Sequence, residues 1–317
     1  MIKPKEKNND SKLFQNSNGL ELVIVKNESN YIYLVFDNKE LIDIEIENPR
    51  ELPLHTKCVA KVNSISENIN AAYVILPDKN KAFLKLSGNK LKCEQNIAVE
   101  ITRASSKGKL QSVKLIDEDI SHRTDFSIIE YGDKSYKKLF GNYNFDKIVT
   151  DVPDLYQELI EYSKTGDVID LSKIHMYNDA MVSLSVLFSV SKRIKEATSK
   201  LIWLKSGANI TIEETNAFTV IDVNSAKKEK SGEDSYLDIN IEAAKEIFKQ
   251  MNLRNLSGII LIDFINLNKD DEKELIEYIK QLCSNQKSYT KLVDITSLGI
   301  AELTRKKEGQ TLSDIIK

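Results

Sequence analysis

Apolar residues form two short runs in the last third of the chain, and each run contains an aspartate near its end. Residues 218–225 read FTVIDVNS and residues 259–266 read IILIDFIN. Both runs have the length of a buried strand. Strand, helix and strand in this order predict a βαβ unit with two parallel, neighbouring strands. The helix is indicated by apolar residues that recur between the runs at helical spacing, at Leu237, Ile241, Ala244, Ile247, Phe248 and Met251.

The aspartates of the two runs, Asp222 and Asp263, lie toward the carboxyl ends of the predicted strands. Ligands of open α/β sheets bind at those ends. We therefore expect both carboxylates to face one crevice, where they form a candidate metal site. Strand alternation places Asn224 on the same face as Asp222. The pattern alone also allows a structural interpretation, in which the aspartates cap strand ends or form salt bridges.

The first part of the chain is patterned as strands. Residues 1–18 are polar and are expected to form a disordered tail. From residue 20 to residue 46, three alternating runs predict an antiparallel meander. The closely spaced short strands that follow the meander predict a five-stranded barrel of the OB type. Such barrels bind single-stranded nucleic acid on one face. The barrel prediction rests on strand-length runs at 57–62, 71–76, 82–84 and 97–101.

The remaining periodic segments complete a mixed α/β pattern. Residues 154–163, 182–198 and 270–284 are expected to be helices. Residues 291–295 are expected to form a strand. Residues 299–307, which end in three basic side chains, are expected to form a helix.

Charge is unevenly distributed along the chain, although the formal net charge over all 317 residues is only −3. Residues 53–116 contain eleven Lys and Arg against four Asp and Glu, so this segment carries about +7 and the remainder about −10. A basic module on an acidic body indicates a polyanionic ligand. Within it, Tyr73 and Phe83 are candidates to stack on bases and Lys107 to contact phosphate. Spacing alone equally allows both aromatic rings to lie in the barrel core.

The spacing of the cysteines and the hydropathy of the chain indicate the cellular compartment. Cys58, Cys93 and Cys283 are far apart and show no CxxC spacing. This indicates free thiols in a reducing compartment and no structural zinc site. The amino terminus lacks the pattern of a signal peptide. The longest nearly apolar stretch, residues 181–190, is too short to span a bilayer. We therefore expect a cytoplasmic protein without a membrane partner.

Five segments in the second half of the chain form an ordered set of motifs. They are WLKSG at 203–207, TNAFTVIDVNS at 215–225, NIEAAKEI at 240–247, LRNLSGIILIDFI at 253–265 and TSLGIAELTR at 296–305. Together these segments resemble the ribonuclease E/G endoribonucleases. The resemblance is strong over residues 201–312 and weaker back to about residue 20. Several long motifs in one order are a far more specific signal than a single short motif.

The resemblance implies an α/β multidomain fold, in which an RNase H-like subdomain is interrupted by an OB-fold barrel of the ribosomal S-one type. A DNase I-like α/β subdomain follows and is implied to be catalytic. The bounds that this implies are 1–18 for the tail, 19–52 and 119–205 for the two parts of the RNase H-like subdomain, 53–118 for the RNA-binding barrel and 206–317 for the DNase I-like subdomain.

The resemblance also implies roles for individual residues. Asp222 and Asp263 match the magnesium-binding aspartates of the family, and Asn224 matches the asparagine that orients the metal and the scissile phosphate. Tyr73 and Phe83 match the RNA-contacting aromatic residues of the barrel, and Lys107 lies in its basic turn.

Charge alone adds candidates that could grip the RNA backbone. For each of them, a solvated surface charge is an equally good interpretation. These candidates are Lys205, Arg254, Arg305 and Lys306.

The chain departs from the longer members of the family in several places. No segment after the barrel has room for the domain that senses a 5′-monophosphate, and no CPxC zinc-link is found, so no zinc-linked assembly is expected. Asn216 and Asn266 stand where the family has acidic residues. Active sites of the family lie near a dimer contact, which leaves open a homodimer through the catalytic subdomain.

The residues and the resemblance together predict a Mg²⁺-dependent endoribonuclease. It is expected to cleave single-stranded RNA internally, to 5′-phosphate and 3′-hydroxyl ends, in RNA processing or decay. Mg²⁺ suits two aspartates because it prefers few protein carboxylates alongside water and substrate phosphate. Two alternatives stay open from the sequence. One is a non-catalytic RNA- or ribosome-binding protein that retains the fold, and the other is a DNA nuclease.

Overall fold

The chain folds into two units, residues 1–188 and 189–317. The computed structural model describes residues 19–105, 109–166, 169–215, 217–225, 235–307 and 309–316. The tail predicted for residues 1–18 lies outside the described residues. No helix among the described residues is both long and apolar enough to cross a lipid bilayer.

The described part of the first unit consists mainly of strands. The strands are β1 (Leu20–Asn27), β2 (Asn30–Asp37), β3 (Glu40–Glu47), β4 (Lys57–Ser66), β5 (Ala71–Ile75), β6 (Lys81–Lys85), β7 (Asn96–Arg103), β8 (Gln111–Leu115), β9 (Ile128–Glu130), β10 (Lys147–Thr150) and β11 (Ile174–Met176). The α-helices are α1 (Ser135–Asn142), α2 (Pro153–Lys164) and α3 (Leu184–Leu187). The helix predicted for residues 154–163 is confirmed by α2.

One sheet of this unit has the strand order β11-β10-β1-β2-β3. The predicted antiparallel meander is confirmed by β1 to β3. The turn between β2 and β3 is tight because Asn38 and Lys39 both take positive φ, 45° and 71°, as a type I′ hairpin requires. Strands β10 and β11 extend the sheet by parallel pairing. Leu139 of α1 and Leu159 of α2 are buried in the core of this sheet.

The chain between β3 and β10 forms a closed barrel. Its strands follow the order β4-β5-β6-β8-β7, and β7 pairs back to β4. The interior is filled by apolar side chains such as Ala60, Val74, Leu84 and Val99. Alternation along each strand sends the other side chains outward. The five-stranded OB-type barrel predicted from the sequence is therefore confirmed.

The second unit is built on one six-stranded sheet with the order β12-β13-β14-β15-β17-β16. Its strands are β12 (Leu201–Trp203), β13 (Asn209–Glu214), β14 (Phe218–Asn224), β15 (Gly258–Asp263), β16 (Thr290–Ile295) and β17 (Ile300–Arg305). Its α-helices are α4 (Val190–Ala197), α5 (Tyr236–Leu253), α6 (Lys269–Ser284) and α7 (Leu312–Ile316). The helix predicted for residues 270–284 and the strand predicted for residues 291–295 are confirmed by α6 and β16.

The predicted βαβ unit is confirmed, because β14 and β15 are parallel neighbours joined by α5. A capping box starts α5: the side chain of Ser235 accepts from the Asp238 N–H, and the side chain of Asp238 accepts from the Ser235 N–H. Helices α5 and α6 cover one face of the sheet, where Ile221 of β14 and Ile262 of β15 are buried. The alternate residues of these strands lie on the other face, which we call the open face.

Two sequence predictions in this region are wrong. Residues 299–307 were expected to form a helix, but they include the strand β17. Burial alternates along β17, with Ala301 and Leu303 inside, and this period of two overrides the basic residues that favoured a helix end. Residues 182–198 were expected to form one helix but contain α3 and α4, which are separated at Ser189 by a left-handed φ of 50°.

Arg305 joins the end of β17 to the carboxyl end of α5. The residue is 5% exposed. Its Nη1 donates to the carbonyl oxygens of Met251 at 2.9 Å and Leu256 at 2.6 Å, and its Nη2 donates to Oδ1 of Asn252 at 2.9 Å. The last carbonyl groups of a helix lack intrahelical donors and carry partial negative charge. Arg305 therefore supplies donors and positive charge where α5 ends.

We expect Arg305→Met to lower the free energy of unfolding by about 3 kcal/mol, because the substitution removes several buried hydrogen bonds that a charged guanidinium donates. Urea unfolding followed by circular dichroism measures the change. Lys307→Met replaces an exposed cation two residues further on and is the matched control, with an expected change within about 0.5 kcal/mol. Equal effects of the two substitutions would contradict the assigned role of Arg305.

Candidate active site

Asp222 and Asp263 lie side by side on neighbouring parallel strands. In the register of β14 and β15, Asp222 is the Cα partner of Asp263. Neighbouring strands are about 4.8 Å apart, and paired residues point to the same face. The adjacent residues Ile221 and Ile262 are buried beneath α5 and α6, so both carboxylates lie on the open face. This register places the two aspartates on the same side of the sheet, and their sharing of one metal-binding crevice stays a prediction.

Asn224 is attached to this pair by a hydrogen bond. Its Nδ2 donates to Oδ2 of Asp222 at 2.6 Å. Asp263 and Asn224 are exposed and Asp222 is half-buried. Within the described ranges, neither aspartate forms a salt bridge, so the geometry does not support the structural interpretation based on ion pairs. The arrangement is an accessible cluster of two carboxylates and one amide.

This donor set suits a divalent cation that keeps most of its own water. Nowhere in the described part of the chain do three His, Cys, Asp or Glu side chains gather closely enough to hold a metal ion. A zinc site or a calcium cage would call for more protein ligands. Mg²⁺ binds through one or two carboxylates together with water and substrate phosphate. Asp222, Asp263 and Asn224 are therefore the residues that could hold a divalent cation together with water.

The sequence interpretation missed Glu302, which shares the open face with Asp263. In the antiparallel register of β15 and β17, Asp263 pairs with Ile300 and Leu261 pairs with Glu302. Glu302 is thus the diagonal neighbour of Asp263. The misassigned helix concealed this relation, because helical periodicity does not place residues 300, 302 and 304 on one face. The alternation of polar and apolar residues along 300–305 is the sequence signal that indicates a strand and places Glu302 on the open face.

Two polar side chains of α5 hold the loops at the carboxyl ends of the strands. Asn240 is fully buried, donates from Nδ2 to the Ile265 carbonyl at 2.7 Å and accepts at Oδ1 from the Ile265 N–H at 3.1 Å. This pair of hydrogen bonds holds the segment that directly follows Asp263. Oε1 of Glu242 accepts from the Lys205 N–H at 2.7 Å. The available sequence signal was a polar residue on the apolar side of the helix for Asn240, and no comparable sequence signal marked Glu242, which is only half-buried.

Lys205 lies at the same end of the sheet as the aspartates. It belongs to the turn between β12 and β13, and Asn209 at the start of β13 pairs with Asn224 at the end of β14. The side chain of Lys205 is exposed. Its position is therefore consistent with the prediction of a phosphate contact.

Arg254 and Arg305 lie in the interior of the second unit, at the other end of this sheet. Arg254 is 2% exposed, and its Nε and Nη2 donate to Oε1 of Gln250 and to the Ser199 carbonyl. Burial lowers the pKa of its guanidinium. Arg305 binds the end of α5 and pairs with Gly258, at the start of β15. The prediction that these two arginines contact RNA is therefore wrong, because both are buried and donate hydrogen bonds within the protein.

The aromatic candidates of the barrel lie outside its core. Tyr73 and Phe83 are register partners on β5 and β6, and their ring centroids are 6.1 Å apart at 72°. Both are partly exposed, whereas their strand neighbours Val74 and Leu84 fill the interior. The alternative that both rings are barrel core is therefore excluded. Lys107, the predicted phosphate contact, lies outside the described residues, as does Asn216.

Basic residues surround this aromatic pair. Phe83 pairs with Ser112 on β8, and Nη2 of Arg103 donates to Oγ of Ser112 at 3.0 Å. Lys81 and Lys85 are exposed and share the outer face of β6 with Phe83. The sequence interpretation did not single out Arg103, Lys81 or Lys85. The sequence signal for Lys81 and Lys85 was their position two residues before and after Phe83, which places them on the same face of a strand.

Comparison with known proteins gives a consistent result. The model of the ribonuclease E/G family matches residues 92–308. Ribonuclease E of Synechocystis sp. is 36% identical over 175 residues, which cover 54% of this chain and 26% of that protein. Ribonuclease G of Escherichia coli K12 is 30% identical over 180 residues, 56% of this chain and 37% of that protein.

A plant protein is also similar. The ribonuclease E/G-like chloroplastic protein of Arabidopsis thaliana is 30% identical over 182 residues, 55% of this chain and 18% of that protein. The matched region thus spans less than two fifths of the length of each of these relatives.

Proposed function

Because the chain belongs to the ribonuclease E/G family, we propose that it is an endoribonuclease that cuts single-stranded RNA internally. The observation that carries this proposal is the register that places Asp222 beside Asp263 on an open face. Asn224 completes the site through its hydrogen bond to Asp222. RNA processing or decay is the setting that we propose for this activity.

In the proposed mechanism, Asp222 and Asp263 would hold one Mg²⁺ ion. A bound divalent cation offsets the charge that develops on the phosphate and makes water more acidic. Asn224 keeps the Asp222 carboxylate in place by donating to Oδ2. The oxygen of a water molecule bonds to phosphorus and gives up a proton, the bond from phosphorus to O3′ breaks, and O3′ receives a proton. The products are a 5′-phosphate and a 3′-hydroxyl end.

The barrel is proposed to hold the RNA strand. Tyr73 and Phe83 offer two exposed ring surfaces on its outer face, and aromatic side chains stack on bases without regard to sequence. Arg103, Lys81 and Lys85 supply positive charge near these rings. Stacking surfaces bordered by cations are typical of proteins that bind single strands.

The assignment of subdomains is part of the same proposal. Strands β1 to β3 and β10 to β11 share one sheet although the barrel separates them in sequence. This connectivity supports an RNase H-like subdomain interrupted by the barrel, with predicted bounds of 19–52 and 119–205 around a barrel at 53–118. The sheet that carries Asp222 and Asp263 supports a DNase I-like catalytic subdomain. This sheet includes β12 (Leu201–Trp203), so the subdomain begins before residue 206, the start of the predicted range 206–317. A homodimer through this subdomain and a cytoplasmic location stay predictions.

We expect Asp263→Asn to lower the cleavage rate of a labelled, unstructured RNA by about 100-fold or more, because the substitution removes one of the two carboxylates that hold the cation. EDTA should abolish cleavage, and added Mg²⁺ should restore it. Denaturing gel electrophoresis of the labelled RNA measures the rate and identifies the ends produced.

Asp270→Asn is the matched control for this experiment. Asp270 is an exposed aspartate on α6, which covers the opposite face of the same sheet, so the rate should not change. Cleavage that persists both in EDTA and in the Asp263→Asn variant would contradict the proposed mechanism. Intact RNA together with tight, salt-sensitive binding would favour the non-catalytic alternative. Equal cleavage of single-stranded DNA would indicate the DNA nuclease.

We expect Tyr73→Ala and Phe83→Ala each to weaken the binding of single-stranded RNA by about 10-fold, because one stacking surface is lost. Fluorescence anisotropy of a labelled oligonucleotide in EDTA measures the dissociation constant. Tyr131→Ala removes another exposed aromatic side chain of the first unit and should leave the affinity unchanged. Unchanged affinity in all three variants would contradict an RNA-binding role for the outer face of the barrel.

A further inference from the structure

Trp203 is the single tryptophan of the chain, and it is 66% exposed on the short edge strand β12. Within the residues that the structure describes, its indole takes part in no ring contact and no hydrogen bond. A large aromatic ring normally gains stability from burial. The adjacent Ile202 packs against the core of the unit, so Trp203 itself is not needed there.

Strand register places Trp203 on the same face as the two aspartates. Trp203 pairs with Asn209 on β13, and Asn209 pairs with Asn224 on β14. Paired residues point to the same side of a sheet. Trp203 therefore shares the open face with Asn224, and with Asp222 two residues earlier on the same strand. Two strand spacings, about 10 Å, separate the backbone of Trp203 from that of Asn224.

The surroundings of the indole are polar except for Leu201, which lies two residues earlier on the same strand and face and is 43% exposed. Asn209 and Asn224 follow it across the sheet, and Thr211 lies diagonally beyond. The exposed cation Lys205 stands two residues further along the chain, in the turn at the same end of the sheet. The exposed apolar residues Phe218 and Ile259 lie at the opposite ends of their strands from the aspartates. A ring bordered by amides and a cation fits a nucleobase better than an apolar protein surface.

From these observations we infer that Trp203 is a stacking platform for one base of the RNA strand, next to the phosphate that is cut. This inference rests on the proposed function, because it assumes that RNA crosses the open face at Asp222 and Asp263. The indole would hold a nucleobase flat against its ring. Stacking of this kind does not depend on base identity, so Trp203 positions the strand without selecting its sequence.

Tryptophan fluorescence tests the inference directly, because all tryptophan emission of the chain comes from this residue. Unstructured oligoribonucleotides are titrated into the full chain in EDTA, and emission is recorded together with anisotropy of the labelled RNA. We expect RNA to quench the emission. A ribose-phosphate oligomer of equal length without bases should bind weakly and leave the emission unchanged.

Substitutions provide the second readout. Trp203→Ala should weaken RNA binding about 10-fold, and Trp203→Phe should weaken it less because a smaller ring still stacks. Tyr289→Ala is the matched control. Tyr289 is also 66% exposed, but it precedes β16 at the end where Thr290 pairs with Arg305, away from Asp263. The control should leave the affinity unchanged.

Two results would overturn the inference. One is emission that RNA does not alter, with equal affinities for Trp203→Ala and the unaltered chain. The other is emission that changes on dilution of the protein alone, with loss of a dimer in Trp203→Ala, because Trp203 would then contact a second copy.

Failure of the proposed function would look different. If RNA quenches Trp203 while the unaltered chain leaves RNA intact in Mg²⁺, the base platform stands and the nuclease proposal fails. If the chain cleaves RNA and Trp203→Ala changes neither affinity nor KM, the nuclease proposal stands and the platform is refuted.

Discussion

The arrangement of the candidate site depends on one constraint, the parallel register between β14 and β15. Ile221 and Ile262 must both lie beneath α5 and α6, and this requirement turns Asp222 and Asp263 to the open face together. A slip of one residue would exchange the two faces of a strand and bury a carboxylate in an apolar core. The packing that stabilises the sheet therefore also aligns the two acids.

Helix α5 supports this register with polar contacts at both of its ends. Near its amino end, Asn240 and Glu242 hold the segment after Asp263 and the turn that carries Lys205. At its carboxyl end, Arg305 donates to the carbonyl oxygens of Met251, in the last turn of the helix, and of Leu256, just after it. A buried polar side chain is costly unless it is hydrogen-bonded, and Asn240 and Arg305 both donate to backbone carbonyl oxygens. Asn240 and Glu242 of α5 each hold one of the two loops, so the position of the helix determines the positions of both loops.

RNA binding and RNA cleavage are proposed for different surfaces, but both surfaces are sheet faces that expose aromatic side chains. The barrel presents Tyr73 and Phe83 outside a core of small aliphatic residues. The open face of the second unit presents Trp203 in a row with Asn224. In both places, strand alternation separates a buried apolar side from an exposed functional side. The proposed division of labour follows from this property of β-strands, since one face stabilises the fold and the other is free to contact a ligand.

Local pattern by itself determined the meander, the barrel strands, the βαβ unit and the choice of Asp222, Asp263 and Asn224, because period and strand ends are local properties of the chain. It failed for residues 299–307, where a helix was predicted and the period-two alternation of β17 was missed. Tertiary structure alone decided that Arg254 and Arg305 are buried, that Tyr73 and Phe83 face outward, and that Trp203 lies in the row of Asn224. A charge or a ring looks the same in sequence whether it faces water or the core. Its direction is set by which strands become neighbours, and that pairing joins residues far apart in the chain.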